Sequence, residues 1–149
     1  MTEPRLEFLF ELTGLLDGGT YAIGETGSYN RTVVHVSGGS FEGPHLKGEV
    51  VPGGGDWYRV RPDGVVELDV RITLRTDDGA MIYMWYPGLT HGESIGPDGQ
   101  TAEGGRYFRT TPRFETGSER YAWLNRILAV GAGVAGEPGE ARYRIYAIH

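Results

Sequence analysis

Asp56 and Trp57 stand side by side at the end of a glycine run, Val51-Pro52-Gly53-Gly54-Gly55-Asp56-Trp57. A carboxyl held against an indole away from water has its charged form disfavoured, so its pKa rises and it can trade protons near neutrality. Asp69 and Arg71 lie two residues apart, on one face of any extended segment. Opposite charges so placed can pair, which lowers the cost of enclosing them. An arginine oriented in this way suits a developing oxyanion. Tyr83 and Tyr107 offer phenols to relay a proton or hold a carbonyl, while Trp57 and Trp85 offer flat apolar walls. Arg109, His35 and Glu42 complete the candidate set as substrate contacts.

Other constellations carry less. Gly131-Ala132-Gly133-Val134-Ala135-Gly136 has the spacing of a dinucleotide-binding turn. That chemistry needs a helix N-terminus facing a pyrophosphate, whereas Glu137-Pro138-Gly139 and a final β-like segment follow, so the run reads as a hairpin loop. Gly92-Glu93-Ser94-Ile95-Gly96 has the spacing of a nucleophile elbow but lies in a polar stretch with no strand-to-helix turn to expose the serine. His35, His45, His91 and His149 show no metal-ligand spacing, and no metal is expected. The absence of cysteine excludes thiolate catalysis and disulfides.

The elements that must position these residues are β-strands. Period-two alternation marks residues 5–16, with Leu6, Phe8, Phe10 and Leu12 opposite Glu7 and Glu11. Shorter extended segments fall at 21–24, 31–36, 46–51 and 57–61, between turns that use many of the 25 glycines. Residues 65–75 and 80–86 form a hairpin across Asp77-Asp78-Gly79. A polar loop spans 88–104, extended chain resumes at 106–115, and 127–131 and 141–148 close the chain. One short helix is predicted over 118–126, capped by Ser118, with Tyr121, Leu124 and Leu128 on one face. The two glycine-rich runs, 38–44 and 51–57, read either as sharp turns at a rim or as places where backbone approaches a neighbouring strand or a ligand.

The expected fold is therefore all-β: one antiparallel β-barrel domain over residues 1–149, with about eight to ten strands and one short helix near the C-terminus. At 149 residues and 39% hydrophobic the chain is long and apolar enough for one core. A net charge of −6 with scattered Lys and Arg argues against a nucleic-acid partner. No stretch is apolar enough to span a membrane, and Met1-Thr2-Glu3-Pro4 lacks a signal core, so the expected location is cytoplasmic.

The polar face of 65–75 has two readings. It is either a solvated exterior or, with Asp69 and Arg71 turned inward, the wall of a polar lumen. The next strand bears on this, because Met81, Tyr83 and Trp85 alternate with Ala80, Ile82, Met84 and Tyr86, apolar on both sides. Two dry faces require a barrel interior and a subunit interface, so a homo-oligomer, dimer or trimer, is expected.

Several motifs together resemble one family. Gly38-Gly39, Glu42-Gly43-Pro44, Gly54-Gly55-Asp56-Trp57, Leu68-Asp69-Val70-Arg71, Thr76-Asp77-Asp78-Gly79-Ala80 and the run from Tyr107 to Thr116 look like the domain of unknown function 3237 family. Tyr121-Ala122-Trp123-Leu124-Asn125 extends the likeness. The resemblance implies a small antiparallel β-barrel, similar in architecture to allene oxide cyclase and dirigent proteins, with a ligand-sized lumen. It adds weight to the lumen reading of Asp56, Trp57, Asp69 and Arg71.

The expected activity is that of a cofactor-independent enzyme acting on a small, largely apolar organic substrate by isomerisation, cyclisation or elimination. Asp56 would be its acid or base, and Asp69 would orient Arg71. The rival is a non-catalytic, lipocalin-like carrier, which needs the same lumen but no titrating group. A third reading is a structural subunit whose aromatic faces serve assembly.

Overall fold

Alternation of period two sets the architecture, because each strand that carries it has one face to bury and a closed sheet buries that face without leaving an edge. The computed structural model describes the backbone of residues 2–95, 101–134 and 136–149, and the side chains of these apart from 93–95 and 101–105. Its strands are β1 (Leu6–Leu15), β2 (Thr20–Glu25), β3 (Asn30–Val36), β4 (Gly38–Glu42), β5 (Lys47–Asp56) and β6 (Arg59–Val60). They continue as β7 (Val66–Thr76), β8 (Met81–Ile95), β9 (Thr101–Thr110), β10 (Arg113–Thr116), β11 (Leu128–Val134) and β12 (Glu140–Ile148). Only Ser37 separates β3 from β4, and only Thr111-Pro112 separates β9 from β10, so the twelve segments amount to ten strands.

Pairings run from β1 through β4, β5, β7, β8, β9, β11 and β12 and return to β1, all antiparallel, which closes the barrel. β2, β3 and β6 extend the sheet beside the second half of β5, and β10 extends it beside the first half of β8. The hairpin expected at Asp77-Asp78-Gly79 is present. Gly79 takes a φ of +88°, and the Thr76 amide donates to the Ala80 carbonyl at 2.9 Å.

Three local expectations are corrected. The predicted helix is a single 3-10 turn, Ala122–Arg126, and Ser118 does not cap it. Tyr121 and Leu124 are buried as expected, but Leu128 already belongs to β11 and is exposed. The loop predicted over 88–104 is mostly strand. β8 runs on through His91 to Ile95 and β9 starts at Thr101, so the elbow-like serine lies in a strand, while Pro97-Asp98-Gly99 fall outside the described residues. The glycine-rich runs lie mostly in strands β4 and β5 rather than in rim turns, and of the two readings the close approach to a neighbouring strand holds: a Cβ on Gly39 would strike the Thr13 carbonyl oxygen, and one on Gly43, just past β4, the Leu9 carbonyl oxygen.

The interior is graded along the barrel. At one end Phe10, Leu74, Ile82, Met84 and Ile145 are fully packed, Phe10 edge-on to Phe41 and Phe114. Tyr121 reinforces this end by donating its hydroxyl to Asp78 at 3.1 Å, which ties the 3-10 turn to the β7–β8 hairpin. Toward the other end, at the level of Val66 and Thr90, the packing opens into a cavity.

Candidate functional site

The cavity has a volume of about 440 Å³, within the range of small-molecule sites. Its walls are mainly aliphatic, with Leu12, Val36, Val50, Leu68 and Val70 among them. The polar groups are few: Asp56, Tyr58, Tyr86 and Tyr143 at mid-depth, and Thr90, Arg106 and Arg142 with Glu140 toward the mouth.

Asp56 owes its inward position to an irregularity in β5. Val51 pairs with Thr73 and Gly55 with Arg71, so four steps on β5 answer two on β7. The two additional residues bend the strand at Gly53 (φ +115°) but keep its parity, so Val50, Gly54 and Asp56 all face inward. One carboxylate oxygen of Asp56 accepts the Asp69 amide at 3.0 Å. Burial raises the carboxyl from 3.8 to about 6; the amide hydrogen bond opposes this and the nearby Asp69 charge adds to it.

Tyr86 pairs with Val70, the residue that on its other side pairs with Asp56. Tyr86 and Asp56 therefore flank one strand at the same depth, about 10 Å apart at the backbone. Tyr143 meets Tyr86 edge to face, with ring centroids 5.5 Å apart, and Phe108 packs on Tyr143 at 5.3 Å. A Cβ on Gly133 would strike the Phe108 ring, so glycine in β11 makes room for that stack. Burial pushes the Tyr86 hydroxyl well above its ordinary value, with the Tyr143 hydroxyl and the Asp56 charge adding to the shift. Burial likewise raises Tyr143, and Asp56 adds to it, although its contact with Tyr86 opposes the change. Both tyrosines therefore stay protonated at neutral pH and act as donors, while Asp56 is the group that titrates.

Of the ten residues singled out from the sequence, only Asp56 lines this cavity. Asp69 and Arg71 project outward, with more than half of each side chain exposed and 4.0 Å between their charged groups. The solvated-exterior reading of that strand is the correct one. Leu68, Val70, Ile72 and Leu74 supply the buried face, and turning the strand over would expose all four. Tyr83 and Trp85 also face outward, stacked at 5.1 Å with Arg113 over the Trp85 ring. Trp57 points away from the Asp56 carboxyl and covers the outer side of Gly55 together with His35, their rings 6.2 Å apart. The indole is thus not what dries Asp56; the aliphatic lumen is. Tyr107 stacks on His91 outside the barrel, with the Arg109 guanidinium 5.8 Å from its ring centroid. Trp57, Asp69, Tyr107 and Arg109 share an external groove with Arg31 and Arg59. Glu42 is exposed at the end of β4, away from both.

Sequence reasoning missed Tyr86 and Tyr143, yet signals for both were present. The Asp77-Asp78-Gly79 hairpin fixes a register that puts Tyr86 on the face of Val70. In β12, Arg142 and Arg144 alternate with Tyr143, Ile145 and Ala147, which marks the inner set. Among the described residues, no cluster of three or more His, Asp or Glu could hold a metal ion. Nor is any helix among them long and apolar enough to cross a membrane.

Fold and cavity together define a closed antiparallel β-barrel with a ligand-sized, mostly apolar lumen. The chain belongs to the family described as "Protein of unknown function (DUF3237)", whose model matches residues 4–148. It is 34% identical over 142 residues to a UPF0311 protein of Rhodopseudomonas palustris, a match covering 87% of this chain and 88% of the relative. A β-barrel-like protein from Acinetobacter baumannii superposes with a TM-score of 0.88 at 31% identity, covering 100% of this chain and 98% of the other. A more distant relative, the hydroalkoxylation enzyme phnH of Penicillium herquei, is 29% identical over 131 residues, covering 87% of this chain and 74% of that protein. The solved structure of an enzyme from Penicillium herquei superposes with a TM-score of 0.76 at 26% identity, covering 100% of this chain and 97% of that one.

Proposed function

We propose that the protein is an enzyme that moves a proton on a small, largely apolar organic substrate held in the barrel lumen, with Asp56 as the acid–base group. The observation that carries this reading is a carboxyl raised to about 6 inside a largely apolar cavity, beside two tyrosines that remain donors. Ring closure by addition of an O–H group across a carbon–carbon double bond is the reaction this set serves best, and the hydroalkoxylation relative supports it. In that step the Asp56 carboxylic acid gives its proton to one alkene carbon. The substrate hydroxyl oxygen bonds to the other carbon, and the proton it releases returns to the Asp56 carboxylate. Atoms and charge balance without any oxidation or reduction. Tyr86 and Tyr143 donate hydrogen bonds to the oxygen as its charge changes. Isomerisation or elimination would use the same proton transfer with a different substrate.

The test is to incubate the protein with a panel of alkenyl phenols in deuterated water and to analyse the products by mass spectrometry. A cyclised product carrying one carbon-bound deuterium is expected, its rate falling as pH rises through about 6. Asp56→Asn should abolish it while the fold is retained. Full activity in that variant overturns the role of Asp56. Tight binding of unchanged substrate, with no product at any pH, makes the protein a carrier instead.

A further inference from the structure

The polar groups of the lumen are sorted by depth, and this sorting bears on what enters. Resting on the reading of the lumen as the reactive site, we infer that its substrate is an organic anion, a carboxylate or phenolate, whose charge stays at the mouth with Arg106 and Arg142 while its apolar body reaches down to Asp56.

Arg106 lies on the inward face of β9 with Phe108 and Thr110, by the alternation of the strand. Its Nε donates to Oγ1 of the buried Thr90 at 2.8 Å, which holds the exposed guanidinium beside the opening. Arg142 borders the same mouth from β12, which only β11 separates from β9, and lies on the outer side of that strand's alternation. Its terminal nitrogen lies 3.5 Å from Glu11 on the exterior, and its Nε is buried without a hydrogen-bond partner among the described residues. Its positive charge beside the mouth, like that of Arg106, favours an anion there. Among the described side chains the nearby acids are Glu140, which accepts the Glu137 amide at 3.3 Å, and Glu11, shared between Arg142 and Arg144, so the arginines outnumber them.

Depth sets the length of the molecule. Thr90 pairs with Val66, and Asp56 with Val70, four residues further along β7. The rise of a strand makes that separation about 13 Å, roughly the length of a two- or three-ring molecule. Between the levels the described lining is Leu68, Val60 and Val66 with the ring of Tyr58, so the middle of the ligand must be largely apolar. An anion placed the other way round would lie against Asp56 and pay both repulsion and desolvation.

The inference is tested with two dyes of one skeleton, 8-anilinonaphthalene-1-sulfonate and the uncharged N-phenyl-1-naphthylamine, both read by fluorescence without any turnover. The quantity measured is the ratio of their dissociation constants. Arg106→Gln should shift that ratio against the sulfonate by about tenfold, the worth of a charge-assisted hydrogen bond. Arg106→Lys should recover part of the loss, and Arg142→Gln should shift the ratio the same way. Retained binding of the neutral dye shows that the lumen is intact in each variant. Asp56→Asn should leave the ratio unchanged or move it toward the sulfonate. Ala141→Phe, which fills the mouth, should remove both dyes. A ratio unmoved by either arginine substitution overturns the inference, as does sulfonate binding that survives Ala141→Phe. Because the dyes do not react, that failure is distinct from a failure of proton transfer, which the deuterium experiment reads separately.

Discussion

Replacing Asp56 by asparagine should stabilise the protein. The carboxyl ionises at about 6 in the fold and at 3.8 when free, a difference that corresponds to about 3 kcal/mol. Between these two values the folded protein holds a proton that the unfolded chain has released. Stability due to this group is therefore greatest below 3.8, declines as pH rises through the window to about 6, and is level above it. At pH 7.5 the wild type bears the whole cost of an ionised carboxylate in an aliphatic lumen. Asparagine removes the charge, and its carbonyl oxygen can still accept the Asp69 amide. The gain is up to about 3 kcal/mol, or about 6–12 °C in Tm for a domain of this size. Thermal unfolding followed by circular dichroism between pH 3.5 and 8 measures it. The variant should melt higher at pH 7.5, and the two curves should converge below pH 4. Equal Tm at pH 7.5, or an advantage that persists at pH 3.5, refutes a costly ionised Asp56.

The tyrosine pair should respond differently. Tyr143→Phe removes the partner hydroxyl of the fully buried Tyr86 and should cost about 1–3 kcal/mol in urea unfolding, with turnover reduced more than substrate binding. Gly43→Ala should destabilise by at least about 3 kcal/mol, because its Cβ meets the Leu9 backbone rather than a movable side chain, whereas Gly92→Ala, with open space around it, should be within about 0.5 kcal/mol of wild type. Arg71→Gln, on the outer wall, should leave turnover close to wild type; loss of activity there would return Arg71 to the site.

A buried carboxylate that destabilises its own fold is what a site costs a small barrel. If the melting experiment comes out as expected, Asp56 is replaceable at a gain in stability, and its one structural bond, from the Asp69 amide, is one an asparagine can also accept. The contrast with Asp78 is instructive. Its carboxyl is held below the usual range by hydrogen bonds from Thr76, Tyr121 and Arg120, and it joins a hairpin to the 3-10 turn. One aspartate maintains the closed end of the barrel, and the other is available for chemistry at mid-depth.

Alternation and turn residues were enough to read the strands, the Asp77-Asp78-Gly79 hairpin and the barrel class, because these depend on local sterics and on burying one face of each strand. The long reach of β8 and β9 was not legible in the polar stretch 88–104, since each strand is held there by pairing with the other rather than by its own pattern. The short helix was over-read for the same kind of reason: Tyr121 and Leu124 are buried by the hairpin and the barrel end, and one 3-10 turn suffices to place them. Sequence pattern also picked out Asp56, but for a neighbour, Trp57, that faces the other way. Which face of each strand looks inward is decided by closure. Asp69 and Arg71 can pair in either orientation, so their spacing alone does not choose; the row Leu68, Val70, Ile72 and Leu74 must fill the interior, and that choice turns the charged pair outward. Composition and spacing determined that this chain forms a barrel with chemistry-bearing residues on its strands. Only the tertiary structure, by fixing the register across ten strands, decided that Tyr86 and Tyr143 rather than Tyr83 and Tyr107 share the lumen with Asp56.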